Sequence, residues 1–92
     1  MPFNAPYYII GKDNTVTTAA TLAEARCIAK GQVLADESDR GSATICTADE
    51  NGELTVHTQY AGNGGGAHHP RVITVPWCAG EARGNIADYA TI

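Results

Sequence analysis

The side chains of this chain that can attack a substrate or hold a metal are three cysteines, Cys27, Cys46 and Cys78, and three histidines, His57, His68 and His69. Neither set has the short spacing that lets two donors of one turn close on a tetrahedral zinc ion. His68 and His69 are immediate neighbours, and no two cysteines sit within one turn of each other. No metal site is therefore expected, and a small metal- or ligand-binding protein using His57, His68 and His69 stands as the alternative reading. Cys46 and His57 fall on the two arms of one expected hairpin, as neighbours on the same face, where a thiolate–imidazolium pair could form. A nucleophile also needs an orienting third group and donors for an oxyanion. The sequence marks neither, so no catalytic residue is assigned and the chain is read as non-enzymatic. The glycine-rich run Gly62-Asn63-Gly64-Gly65-Gly66 leads into His68-His69-Pro70 and not into the Gly-Lys-Ser/Thr and helix that a phosphate loop requires. It is read as a flexible loop over 61–70, and no cofactor is expected.

Charge is the next resource for chemistry. The chain has a formal net charge of −4 with only six lysines and arginines, which argues against broad binding to nucleic acid or to an anionic membrane. Between residues 36 and 53 the carboxylates Asp36, Glu37, Asp39, Asp49, Glu50 and Glu53 face only one base, Arg40. Such a stretch is either solvated turns or an anionic lobe that meets the basic surface of a partner. The sequence leaves open whether the two acidic loops share one end of the fold. Trp77, the chain's single tryptophan, follows Pro76 directly; it either caps a small core or anchors an interface.

These residues must be positioned by a small structure. Ninety-two residues suit one domain. The segment Met1-Pro2-Phe3-Asn4-Ala5-Pro6 reads as an extended arm without the basic and apolar stretches of a secretory leader. An odd cysteine count without a Cys-x-x-Cys pair fits a reducing, cytoplasmic setting, with the pairing of any two cysteines left open. Tyr7-Tyr8-Ile9-Ile10 and Thr15-Val16-Thr17-Thr18 are β-branched or aromatic runs around the turn residues Gly11-Lys12-Asp13-Asn14. Thr21-Leu22-Ala23-Glu24 is a capping box, in which Glu24 reaches back to the amide of Thr21. It opens a helix to Ala35 whose Leu22, Ala25, Ile28, Ala29 and Val33 share one face. Asn51-Gly52 predicts a hairpin of 42–48 with 53–60. The alternation puts Ala43, Ile45 and Thr47 on the face of Leu54, Val56 and Tyr60, with Thr44, Cys46, Thr55, His57 and Gln59 opposite. A last strand spans 71–75. Residues 77–92 suit one helical turn through Ile86 and Tyr89 or an edge strand over 89–92. The order β-β-α-β-β-β predicts an α+β domain: an antiparallel sheet of four to five strands with one helix packed on one face.

An aromatic-Ile-Ile strand, a threonine-rich segment, Thr21-Leu22-Ala23-Glu24-Ala25-Arg26 opening an alanine-rich helix, and an acidic Asn-Gly hairpin together resemble small proteins of phages and mobile elements. Among them are type I anti-CRISPR inhibitors with one helix laid on an antiparallel sheet. The resemblance spans about residues 7–60 and implies a non-enzymatic inhibitor in the host cytoplasm. Its partner would be a host protein or ribonucleoprotein complex, such as a CRISPR effector, blocked at a surface meant for nucleic acid. The binding residues expected are Asp36, Glu37, Asp39, Asp49, Glu50 and Glu53 on the charge argument and Trp77 as an apolar anchor, with no direct contact to nucleic acid or membrane, and with a homodimer left open. The same helix start is similar to HicB-type antitoxins, which gives a third reading as an antitoxin-like regulatory module.

Overall fold

A computed structural model describes residues 5–36, 41–62 and 72–89. Six strands, β1 (Tyr7–Gly11), β2 (Val16–Ala19), β3 (Ser42–Ala48), β4 (Glu53–Gly62), β5 (Val72–Val75) and β6 (Ala82–Asn85), form one antiparallel sheet. Its order is β2-β1-β3-β4-β5, with β6 also paired to β4. The main helix, α1 (Leu22–Ala35), lies across one face, and a single helical turn, α2 (Ile86–Tyr89), follows β6. The fold is the expected α+β sheet with one principal helix. The first two strands turn through Gly11–Thr15, where the amide of Gly11 donates to the carbonyl of Thr15 and Asn14 takes a φ of 65°. Asparagine is among the few residues that accept that conformation.

The capping box forms as a variant of the expected one. The Thr21 hydroxyl accepts from the Glu24 amide at 3.1 Å, but the Glu24 carboxylate reaches one residue further back and accepts from the Ala20 amide at 3.2 Å. The helix then presents Ala25, Ala29 and Val33 to the sheet, all buried, with Leu22 and Ile28 packing from the sides. Two alanines in the contact stripe let the helix backbone lie close above Ile9, Ala43 and Ile45, which have no exposed surface. Leu34, which breaks the apolar pattern, points to solvent.

The hairpin of β3 and β4 departs from the expected register. Up to Ile45 opposite Thr58 the pairing is regular, then Cys46 stands opposite Val56, so that His57 is an extra residue in β4. A bulge of this kind shifts the alternation by one. Tyr60 therefore stays with Ala43 and Ile45 beneath α1, whereas Leu54 and Val56 move to the far face with Cys46. The expectation that Leu54, Val56 and Tyr60 share one face is corrected. The sheet is apolar on both sides, and the far face holds a second cluster of Tyr8, Ile10, Cys46, Leu54, Val56 and Ile86.

That second cluster needs a cover, and the C-terminal segment supplies it. After β5 the chain makes a turn of 3-10 helix, Pro76–Cys78, and rejoins the same edge of β4 as β6. Between the two strands Gly80 donates to the Val56 carbonyl and Val56 donates to that of Glu81. The Ile86 amide donates to Gly52 at 2.8 Å, and the Asn85 carboxamide donates to Asn51 at 2.9 Å, which together tie the segment to the hairpin turn. Ile86 is then buried, with Tyr89 and Cys78 packed beside it. Of the two readings open for this segment, the helical turn through Ile86 and Tyr89 is the one that forms. The edge strand precedes it at 82–85; the alternative at 89–92 lies almost wholly outside the described residues.

Candidate functional site

The bulge separates the residues that would have made a cysteine–histidine pair. Cys46 is fully buried in the far cluster, and burial pushes its thiol up to about 11 against a weaker opposing effect of the Arg83 charge. A thiol held protonated in this way is a packing group. His57 is on the opposite side, edge-on to the Tyr7 ring with centroids 6.1 Å apart, and its Nδ1 meets the Thr58 hydroxyl at 2.6 Å. The expected shared face of Cys46 and His57 is therefore corrected. Cys27 is exposed on α1, Cys78 is half-buried, and neither is in a disulfide. His68 and His69 lie outside the described residues. Among the described residues no group of three metal-binding side chains comes together.

The acidic stretch divides between the two ends of β3. Asp36 caps the C-terminus of α1 beside Gly41 and lies 3.6 Å from Lys12 of the first turn. Asp49, Glu50 and Glu53 belong to the turn that follows β3, seven residues further along the sheet, or about 20 Å at the rise of a strand. Glu37 and Asp39 lie outside the described residues. In the turn, the Asp49 carboxylate accepts from the amides of Asn51 and Glu53 at 2.8 and 2.9 Å, so this acid shapes the loop as well as charging it. The C-terminal segment adds two carboxylates that the charge run of the sequence did not include, Glu81 and Asp88, both exposed. Glu53 pairs with Asn85, and Glu81 accepts from Val56, so both sit on the same side of the fold as the hairpin turn. Only the pairing of β6 with β4 brings them there, and no spacing along the chain signals it.

Trp77 occupies the middle turn of this edge. Its side chain is 75% exposed, the most open of the large apolar residues among the described residues, and Ile73 on β5 is 42% exposed. It does not cap the core. Pro76 fixes the start of the 3-10 turn, and the Ala79 amide closes it by donating to Pro76. The run from Val72 to Cys78 carries no charge. This arrangement sets an uncharged, partly apolar edge strand against Gln59 to Gly62, with Glu81 beyond its Trp77 end beside Val56 and the carboxylates of the hairpin turn further along β4, six residues from Gln59 to Glu53 or about 20 Å at the rise of a strand.

A concavity of about 590 Å³ lies at the end of β3 opposite the hairpin turn, between Gly11, Lys12, Asp13, Gln32, Asp36 and Ser42. It is wide and open, and its rim carries Lys12, Asp13 and Asp36. The Lys12–Asp36 contact belongs to its wall, and the Thr15 hydroxyl lowers the pKa of Asp13 by donating to it at 2.8 Å. Lys12, Asp13 and Asp36 on its rim are engaged with one another or with Thr15, while the buried Gln32 Oε1 in its wall has no hydrogen-bond partner among the described residues; the edge around Trp77 exposes the larger apolar side chain and is the candidate taken for a partner. Among the described residues no helix is long and apolar enough to cross a membrane. Set against protein-family models, curated proteins and solved structures, the chain matches none.

Proposed function

We propose that this protein acts by binding another protein, without catalysis, through the sheet edge centred on Trp77. The observation that carries this reading is the exposure of Trp77 on a proline-initiated turn, while the apolar clusters on both faces of the sheet are buried. A tryptophan brings a large contact area at little entropic cost, and such side chains dominate interface energies. Asp49, Glu50, Glu53, Glu81 and Asp88 on the same side favour a partner with lysines and arginines, which they steer toward the edge. In its most concrete form the partner is a host nucleic-acid-binding complex such as a CRISPR effector, and the protein is its inhibitor. The divided charge gives the hairpin side the leading part and leaves Asp36 to its contact with Lys12. The metal-binding alternative retains only His57 among the described residues, and its ring is engaged with Tyr7 and Thr58.

Photo-cross-linking tests this reading. With a benzophenone amino acid replacing Trp77, exposure to host lysate is expected to give one dominant cross-linked protein. The same group at Thr18, exposed on the opposite edge strand, is expected to give none. Equal yields from both positions, or none from either, would overturn the assignment of the Trp77 edge.

A further inference from the structure

The outer side of β5 has no strand paired to it among the described residues. In an antiparallel strand alternate residues turn their N–H and C=O groups away from the neighbour, so an edge offers a template for one more strand. Natural edges are commonly blunted with lysines, prolines or bulges. Here Pro76 and the 3-10 turn stop the template, but Val72 to Val75 carry no charge, and Ile73 and Thr74 are exposed. The opposite edge, β2, offers a similar length but only Val16, Thr17, Thr18 and Ala19, none of them a large exposed apolar group.

We infer that β5 accepts a short extended segment of the partner as an added antiparallel strand, with lysine or arginine at the N-terminal end of that segment. The inference rests on the protein-binding reading above and specifies how the partner docks. Backbone pairing along Val72–Val75 supplies the register, and Ile73 takes up alternate side chains of the guest. An antiparallel guest begins beside Val75 and Trp77 and ends beside Val72. Its first residues therefore lie next to the turn that leads to Glu81, four residues beyond Trp77, with the Glu53 and Asp49 carboxylates further along the same edge. Residues 72–89 carry Glu81 and Asp88 against one base, Arg83, while Lys30 stands over Tyr60, which pairs with Thr74 further from Glu81, so basic residues are favoured at the start of the guest, toward Glu81, over its end. A second copy of this chain is disfavoured as the occupant, because it would bring a second set of these carboxylates to the shared edge.

The probe is a synthetic peptide, Lys-Lys-Val-Thr-Val-Thr-Val, titrated into the full chain, with the single tryptophan as reporter. Binding is expected to shift and saturate the Trp77 emission. Moving the lysines to the C-terminal end or replacing them with glutamate is expected to weaken binding about tenfold. Methylating alternate backbone nitrogens is expected to weaken it at least as much, because it removes the strand pairing. In the reciprocal arm, Glu81→Lys is expected to narrow the preference for the lysine over the glutamate peptide, whereas Thr18→Lys on the opposite edge is expected to leave it unchanged. Binding indifferent to N-methylation or to charge position would overturn the proposal, as would emission that shifts with protein concentration alone alongside a dimer mass in sedimentation. Cross-linking at position 77 together with absent peptide binding would refute strand addition and leave the protein-binding reading standing. Failure of the cross-linking removes the reading itself.

Discussion

The two faces of the sheet are closed in different ways. Under α1 the cover is local and continuous: a capped helix of 14 residues whose alanines settle over Ile9, Ala43 and Ile45. On the far face the cover is assembled from pieces, a broken edge strand and one helical turn, held by Asn85 and Ile86 to the turn at Asn51-Gly52. A regular helix can be read from its own residues. A cover made of short pieces exists only through its pairing with β4, and it brings the candidate surface residues Trp77 and Glu81 with it.

Truncations in the two clusters should separate them. Ile45→Ala, beneath the helix and fully buried, is expected to cost about 4 kcal/mol in urea denaturation, within the range for large-to-small core changes. Ile86→Ala is expected to cost about 2 kcal/mol, because a cover of one helical turn can settle into the space. Equal losses would erase the distinction. Gly52→Ala comes next: Gly52 has a φ of +83°, and an added Cβ would stand 2.9 Å from the Asn85 side chain and 3.1 Å from Ile86. A loss of about 1–2 kcal/mol is expected from the backbone conformation. A coupling with Asn85→Ala in a double-mutant cycle would show that the clash reaches the latch.

The titration of Cys46 has no effect on stability at neutral pH; its contribution changes only in alkali. Burial pushes its thiol from the ordinary 9.0 up to about 11, so between those values the unfolded chain has lost the proton and the folded one has kept it. Stability from this group is intact below pH 9 and falls as pH rises toward 11. Chemical denaturation across that range is expected to show a declining limb that Cys46→Ala flattens. Cys27, exposed on the helix, is expected to react with a thiol reagent well before Cys46 in the native protein.

The helix was legible because its start signal is chemical: Thr21 and Glu24 at the spacing of a capping box, followed by small apolar residues at helical spacing. The hairpin was legible from Asn51-Gly52, which places Gly52 at a positive φ. The bulge was not, because Leu54, Val56 and Tyr60 alternate as if on one face, and nothing in His57 or Thr58 announces the extra residue. Only the demand of a second apolar face, for Ile86 and Tyr89 to pack against, would have suggested that Leu54 and Val56 turn away from Tyr60. Glu81 and Asp88 were missed for the same reason: their place beside the hairpin turn depends on β6, whose four residues, Ala-Arg-Gly-Asn, have no strand pattern of their own.

Strand β4 has a consequence for the order of folding. It is the longest strand, and it holds β3 on one side and both β5 and β6 on the other. Its pairing with β3 closes only a tight turn, whereas Glu53 meets Asn85 and Tyr8 meets Cys46 across more than thirty residues. Loop closure makes contacts between distant residues slow to form relative to local ones. The hairpin of β3 and β4 is thus the natural nucleus, and β1 with its helix can add to one side of it while β5 and β6 add to the other. Until β6 arrives, Leu54 and Val56 stay uncovered, so the far half of the sheet is the interval in which a newly made chain is open to chaperones, proteases and its own kind.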